Sequence, residues 1–499
     1  MPINSYTFDR FPPKDVRDSL PNQVTRHYVD KVCDARFNVL KKAFIFIKML
    51  FVHHEWGGSM LQRLFCVEGE RFELRNEIIG GITTFLASMY IIVVNPAILS
   101  KSGMPFSGVL TATVLVSAFS SIAMGIYAKN PILIAPGMGL NAFFTYSVAL
   151  AMDVSWQTAL GAVFWSGVIF VLLSVFNIRT YIVRAIPRQL RFALAGGIGL
   201  FISLIGLENA RFIVSSPATI LTIGDLNSVT LTFVIGLLFT AVLVARRVHG
   251  ALVMGIIFTT LLAWPIGRFW GDATALFGQP TLVELKGFMS RPDFSLIFSL
   301  DLYGSLKLAF LPVIFAFLFT DLFDSLSTFI GVAEAGRLLD ENGEPRNIKQ
   351  SLIVDAFATL ISGILGTSSG TSYIESAAGI EEGGRTGLTA VVAGLLFLPF
   401  MFFSPLLSIV PAIATAPALV LVGVFMMQPV AKINWFKYDD AIPAFLSFIL
   451  IPLTYSITQG IIWGFLSWTA IKLLTGKKQE VSPTLLAIDL FAILALILK

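Results

Sequence analysis

From Glu77 to the C-terminus, apolar runs of roughly 15–25 residues follow one another, separated by short polar breaks. A helix needs about 20 residues to cross the hydrocarbon core of a bilayer. The pattern therefore predicts fourteen spans, near 78–98, 108–128, 131–149, 157–177, 189–207, 229–246, 250–268, 304–330, 350–366, 371–382, 386–404, 412–429, 440–456 and 459–475. A last apolar piece, 485–498, reads as interfacial or as a short packed helix. Residues 1–75 break the pattern. They are polar and charged and hold His27, His53 and His54, with no apolar run suited to a signal peptide. Within them Arg36–Phe51 is basic and apolar together, which reads equally as an amphipathic surface helix or as unstructured tail. Met60 offers a plausible later start. The expected division is a cytoplasmic tail, 1–75, and a transmembrane body, 76–499.

Composition narrows the class. Only 13% of the 499 residues are charged and 56% are hydrophobic, against about 25% charged in a soluble domain, and mean hydropathy is +0.80. These values describe an all-α polytopic membrane protein and exclude an ordinary soluble enzyme or a disordered chain. A net charge of +4 offers nothing for nucleic acid to bind, and two cysteines, Cys33 and Cys66, exclude a disulfide framework. Loop charges orient the spans. With the N-terminus in the cytoplasm, sixteen Lys and Arg fall in inner loops and six outside, as the positive-inside rule requires. This supports fourteen spans with both ends inside a cell membrane.

Two spans are interrupted at matching places. The third reads PILIAPGMGLNAFFTYSV, with Pro136, Gly137 and Gly139 at its centre, and the tenth reads GTSSGTSYIESAAGIEEGG, with Gly366 and Gly370. Third of seven and third of the next seven is the pattern of a duplication, and an odd number of spans per copy inverts one copy in the membrane. Paired Gly/Pro-broken segments point to a transporter's binding site. Acids in the spans are few: Asp321 and Asp324, three apart on one helix face, and Glu375 beyond the tenth-span break. An intramembrane carboxylate costs at least roughly 2.5–3.5 kcal/mol, and no Lys or Arg is expected deep in a span to offset it. Acids without basic partners suit proton carriage or hydrogen bonding to a ligand. Asn141 follows the third-span break as Glu375 follows the tenth, and its amide both donates and accepts. Phe143 or Phe144 would stack on a flat ligand, and Ser372 lies in the broken tenth span. Asp355 reads as interfacial or as support for the site. The string Gly366-Thr367-Ser368-Ser369-Gly370 matches a nucleophile-elbow pattern, but it has no strand before it and no histidine nearby, so it is not read as one. No Walker A loop is present, and neither a metal nor an organic cofactor is expected.

The stretches GGITTFLASMYIIVVNPAILS, IAPGMGLNAFFTYSV, FTDLFDSLSTFIGVA and GTSSGTSYIESAAGIEEGGRTGLTAVVAG resemble the AzgA-like adenine–guanine–hypoxanthine permeases of the nucleobase–ascorbate transporters. The resemblance runs from about Arg71 to the C-terminus. It implies a 7+7 inverted repeat with a substrate-carrying core (76–180 and 302–405) and a dimer-forming gate (181–301 and 406–499). It also implies elevator motion of core against gate. By this resemblance the family's site acids fall on Asp321, Asp324 and Glu375, and its third-span Gly and Asn on Gly139 and Asn141. From their place in the broken spans Phe144 and Ser372 would join Glu375, Asp321, Asn141 and Gly139 at the substrate, and the unpaired acids Asp324 and Asp321 would couple a proton. Gly370 departs from the Ser/Thr run common in the family. The chemistry agrees with a purine: one carboxylate accepts both N1–H and the 2-amino group of a 6-oxopurine. The expected function is import of hypoxanthine, adenine and guanine by a homodimer, driven by the proton gradient. A uracil or xanthine permease of the same fold is the alternative. An anion carrier would not need Glu375 beside its ligand, and an intramembrane enzyme lacks histidine and metal ligands.

Overall fold

Backbone N–H and C=O groups within hydrocarbon find no water, so apolar runs of this length satisfy them internally as helices. The computed structural model describes residues 62–67, 72–176, 186–217, 219–271, 273–274, 281–284, 287–339 and 345–497. Met1–Leu64 and Phe65–Lys499 are separate compact units. The possible surface helix at Arg36–Phe51 lies outside the described residues, and the architecture below is that of the second unit.

The first apolar run folds as α1 (Leu74–Ser88) and α2 (Ile91–Leu99), offset at Met89 and Tyr90, and the second as α3 (Phe106–Ala123). The third opens extended, as β1 (Ile134–Pro136), then turns through α4 (Met138–Ala142) into a π-helical stretch, Phe143–Leu150. Next come α5 (Trp156–Val175), α6 (Arg188–Asn209), a hairpin of β2 (Ile213–Ser216) and β3 (Ile220–Ile223), α7 (Ser228–Ala245) and α8 (Ala251–Ala263). Beyond a long connection lie α9 (Leu311–Gly336), α10 (Ile348–Leu365), β4 (Gly370–Ser372), α11 (Ser376–Glu381) and α12 (Gly387–Phe397). The chain ends in α13 (Ala412–Met426), α14 (Tyr438–Thr454), α15 (Ile457–Leu474) and α16 (Pro483–Ile497). Each of the fourteen apolar runs coincides with a helix or with a strand followed by a helix. Nine helices among the described residues are long and apolar enough to cross a membrane. The final apolar piece is α16, which packs on α15.

The helices sort into two groups by packing. In one, α12 lies on α1 and α3, α10 on α5, and α11 on α1. In the other, α6 lies between α13 and α14, α7 against α8, and α14 against α15. Glycine permits the closest approaches. A Cβ on Gly197 would stand 2.8 Å from the Phe448 carbonyl oxygen, and one on Gly199 would stand 2.6 Å from that of Gly423. Backbones meet this closely only where side chains are small. The connection before α9 is fastened to the first group. The Ser107 hydroxyl donates to Asp293 at 2.6 Å, and the Asp293 N–H donates to Thr111 Oγ1 at 3.1 Å. Burial pushes the Asp293 carboxyl up, but the Ser107 and Ser295 donors outweigh it and hold it below the ordinary carboxylate range.

Two expectations need correction. Gly366 does not break the tenth span: with φ +94 it caps the end of α10, and the extended segment starts at Gly370. Glycine adopts this left-handed conformation without a Cβ clash, which is what a helix C-terminus requires. Lys472, one of the sixteen charges counted to the inner loops, is fully buried in α15. Its Nζ lies 2.7 Å from Asp439, 2.8 Å from Asp440 and 2.7 Å from Glu480. Three carboxylates around one ammonium supply what water would otherwise give it.

Candidate functional site

The two interrupted spans meet. β1 and β4 pair antiparallel, with Ile134 opposite Ser372, Ala135 opposite Thr371 and Pro136 opposite Gly370. The pairing continues past the strand ends, since Gly137 N–H donates to the Ser369 carbonyl at 3.0 Å and Tyr373 N–H to that of Leu133 at 2.9 Å. A two-stranded ribbon still leaves outward backbone groups unpaired, and hydroxyls take them. Ser121 Oγ accepts from Ile134 N–H at 3.0 Å, Ser376 Oγ from Leu133 N–H at 3.0 Å, and Ser362 Oγ from Gly370 N–H at 3.1 Å. The Tyr373 hydroxyl donates to the Pro136 carbonyl at 2.6 Å. Non-helical backbone is stable at this depth only when it is satisfied in this way.

The candidate residues gather around this ribbon. Asp321, fully buried in α9, accepts from the Thr359 hydroxyl, which also lies 3.2 Å from the Gly370 carbonyl. Asn141, fully buried in α4, accepts through its amide oxygen from the Ser368 hydroxyl. Glu375 sits three residues beyond β4 at the start of α11, half-buried, and its Oε1 accepts from the Tyr90 hydroxyl at 2.7 Å. Ser372 donates at 3.0 Å to Asp355, which is itself fully buried. Gly139 faces the other helix group, where a Cβ would stand 2.6 Å from Ile198 Cγ2. Phe144 is fully buried with its ring 6.5 Å from that of Phe317, and Phe143 lies closer to the same ring, at 4.8 Å.

Asp324 faces differently from Asp321. It lines a small cleft between the two helix groups, with Thr320, Phe323 and Ser327 of α9 on one side. Leu194, Ala195 and Ile198 of α6, Met426 of α13 and Ile461 of α15 form the other. The cleft is mostly apolar, with Asp324, Thr320 and Ser327 as its polar groups. Glu375 and Asn141 do not line it.

Sequence reasoning passed over several partners. Tyr90, Thr359 and Ser368 hold the three candidate groups, and Asn95 donates to Thr113 at 2.7 Å and to Thr367 at 2.9 Å. Hydroxyls in membrane helices commonly bond their own backbone, as Thr113 does to Val109 and Ser117 to Thr113. Nothing in the sequence marks the exceptions. Of the three acids singled out only Asp321 is buried, and Glu77, Asp355, Asp440 and Asp489 are buried as well. Glu77 accepts from the Thr386 N–H at 3.1 Å and the Thr389 hydroxyl at 2.6 Å, closing the first turn of α12.

Known proteins share this plan. Residues 75–462 match the model of the Permease family, Xan_ur_permease. The adenine permease AdeP of Escherichia coli is 41% identical over 444 residues, covering 88% of this chain and 97% of that protein. The guanine/hypoxanthine permease PbuO of Bacillus subtilis is 41% identical over 442 residues, covering 86% and 98%. Among solved structures, the transmembrane domain of the cyanobacterial bicarbonate transporter BicA superposes with a TM-score of 0.58 at 16% identity, over 78% of this chain and 98% of that one. At that identity the likeness speaks for the fold alone. The chain is an integral membrane permease rather than an enzyme, and it belongs to the xanthine/uracil permease family, in the branch that holds the adenine and guanine/hypoxanthine permeases.

Proposed function

We propose that this permease imports purine nucleobases (hypoxanthine, guanine and adenine) together with protons. The observation that carries the reading is the antiparallel ribbon of β1 and β4 with two candidate polar groups bonded to its strands or their flanks and a third close by. Asp321 joins through Thr359, Asn141 through Ser368, and Glu375 lies three residues beyond β4. A carboxylate that accepts from N1–H and the 2-amino group, beside an amide that donates or accepts, matches the edge of a purine. The names of the relatives agree.

Asp324 is the proton carrier of this proposal, with Asp321 behind it. Asp324 stands on the cleft between the helix groups, where a proton and the substrate pass together. The group containing α1–α5 and α9–α12 is the moving core, within 76–180 and 302–405. The group containing α6–α8 and α13–α16 is the gate and dimer surface, within 181–301 and 406–499. Fourteen segments cross the membrane as two inverted sevens, with both termini in the cytoplasm. The packing preferences of the helices support this division. The proton gradient supplies the energy, with no cofactor.

Uptake of labelled hypoxanthine by cells lacking their own purine carriers tests the proposal. Competition by adenine and guanine, together with collapse of uptake by a protonophore, is the expected result. Competition by uracil or xanthine alone would move the substrate assignment. Uptake indifferent to the protonophore would remove the proton.

A further inference from the structure

The Tyr90 hydroxyl is the donor that holds Glu375, and its position is costly enough to ask why it is there. Tyr90 lies at the offset between α1 and α2 and is 1% exposed. A phenol buried to that degree needs a hydrogen-bond partner, and it reaches across from the first span to the tenth to find one, at 2.7 Å. The neighbouring backbone is already engaged: Val93 and Val94 donate to the Tyr90 carbonyl at 3.1 and 3.0 Å. An ionised carboxylate has about four acceptor positions on two oxygens. Tyr90 occupies one on Oε1 and the Glu375 N–H engages the carboxylate as well, which restrains it and leaves the remaining positions for other donors.

We propose that Tyr90 is a positioning residue for substrate binding. By holding one oxygen of Glu375, it presents the remaining acceptor positions to paired donors on one edge of a purine. The inference rests on the reading of Glu375 as the substrate's carboxylate. Preorganisation of this kind acts on affinity, because an unheld carboxylate must be ordered each time substrate binds. It does not require Tyr90 to touch the substrate.

Hypoxanthine uptake kinetics test it in four proteins: wild type, Tyr90→Phe, Glu375→Asp, and the double variant. Tyr90→Phe removes one oxygen and keeps the ring. It is expected to raise KM about tenfold, the factor one charge-assisted hydrogen bond carries, with Vmax per molecule at the membrane unchanged. Glu375→Asp shortens the side chain out of Tyr90's reach while keeping a carboxylate. Adding Tyr90→Phe to it is expected to change KM less than twofold. Independent, multiplicative effects in the double variant would overturn the route through Glu375. A wild-type KM in Tyr90→Phe, beside loss of uptake in Glu375→Gln, would overturn the inference and leave the site reading standing. Wild-type uptake by Glu375→Gln would overturn both. If Tyr90→Phe fails to accumulate, Tyr90→Leu is purified and its hypoxanthine-induced melting shift compared with that of wild type. A full-sized shift there would also overturn the inference.

Discussion

Glu375 and Asp324 occupy different surroundings, and their substitutions should separate accordingly. Glu375 is held by Tyr90, whereas Asp324 accepts from Thr371 of β4 and also lines the cleft between the helix groups. Glu375→Gln replaces an acceptor with an amide that presents a donor to the N1–H edge. Uptake of hypoxanthine is expected to fall at least a hundredfold while the protein reaches the membrane in normal amounts, as quantitative surface labelling would show. Asp324→Asn is expected to keep hypoxanthine binding, measured on purified protein, and to lose uphill accumulation, since the amide carries no exchangeable proton charge. Binding lost in Asp324→Asn and kept in Glu375→Gln would reverse the two roles.

At the scale of elements, polar groups do two kinds of work. Around the ribbon, hydroxyls of Ser121, Ser362 and Ser376 satisfy backbone that has left the helix, so the site rests on supported strands rather than on loose loops. At the C-terminal end of α15, Lys472 ties that helix to the start of α14 through Asp439 and Asp440. Removing one partner of a buried ion pair leaves the others uncompensated, at a cost of about 3–5 kcal/mol. Lys472→Met is therefore expected to lower the melting temperature in detergent clearly. Lys478→Met, on an exposed residue, should leave it nearly unchanged. Equal melting curves for the two variants would show that the cluster contributes no net stability.

Across the whole molecule, a few polar contacts join the two helix groups. Lys101, between α2 and α3, donates to the side-chain carbonyl of Asn209 at the end of α6 and, at 3.0 Å, to the Tyr146 hydroxyl. Ser147 donates to the Tyr455 carbonyl at 2.5 Å. If one group slides past the other during transport, these contacts must break in every cycle. Lys101→Cys with Asn209→Cys, after Cys33→Ala and Cys66→Ala, is expected to transport until a short bis-thiol reagent bridges the pair, and then to stop. Uptake that continued with the bridge demonstrably in place would exclude relative motion at this boundary.

Much of this architecture was legible in the sequence because the membrane makes one demand everywhere: long apolar runs must be helical. That demand marks all fourteen apolar elements, and glycine and proline mark the two places where helix gives way. The family motifs carry the candidate residues Asp321, Asp324, Glu375, Asn141 and Gly139. Tertiary structure alone decided which groups face each other. The register of β1 on β4, the turning of Asp321 toward Thr359 while Asp324 faces the cleft, the Tyr90 bond to Glu375 and the burial of Lys472 all join residues far apart in the chain. Hydropathy is a property of each segment and shows in its own residues. A hydrogen bond across segments depends on the direction of two side chains at once, and no single segment encodes it.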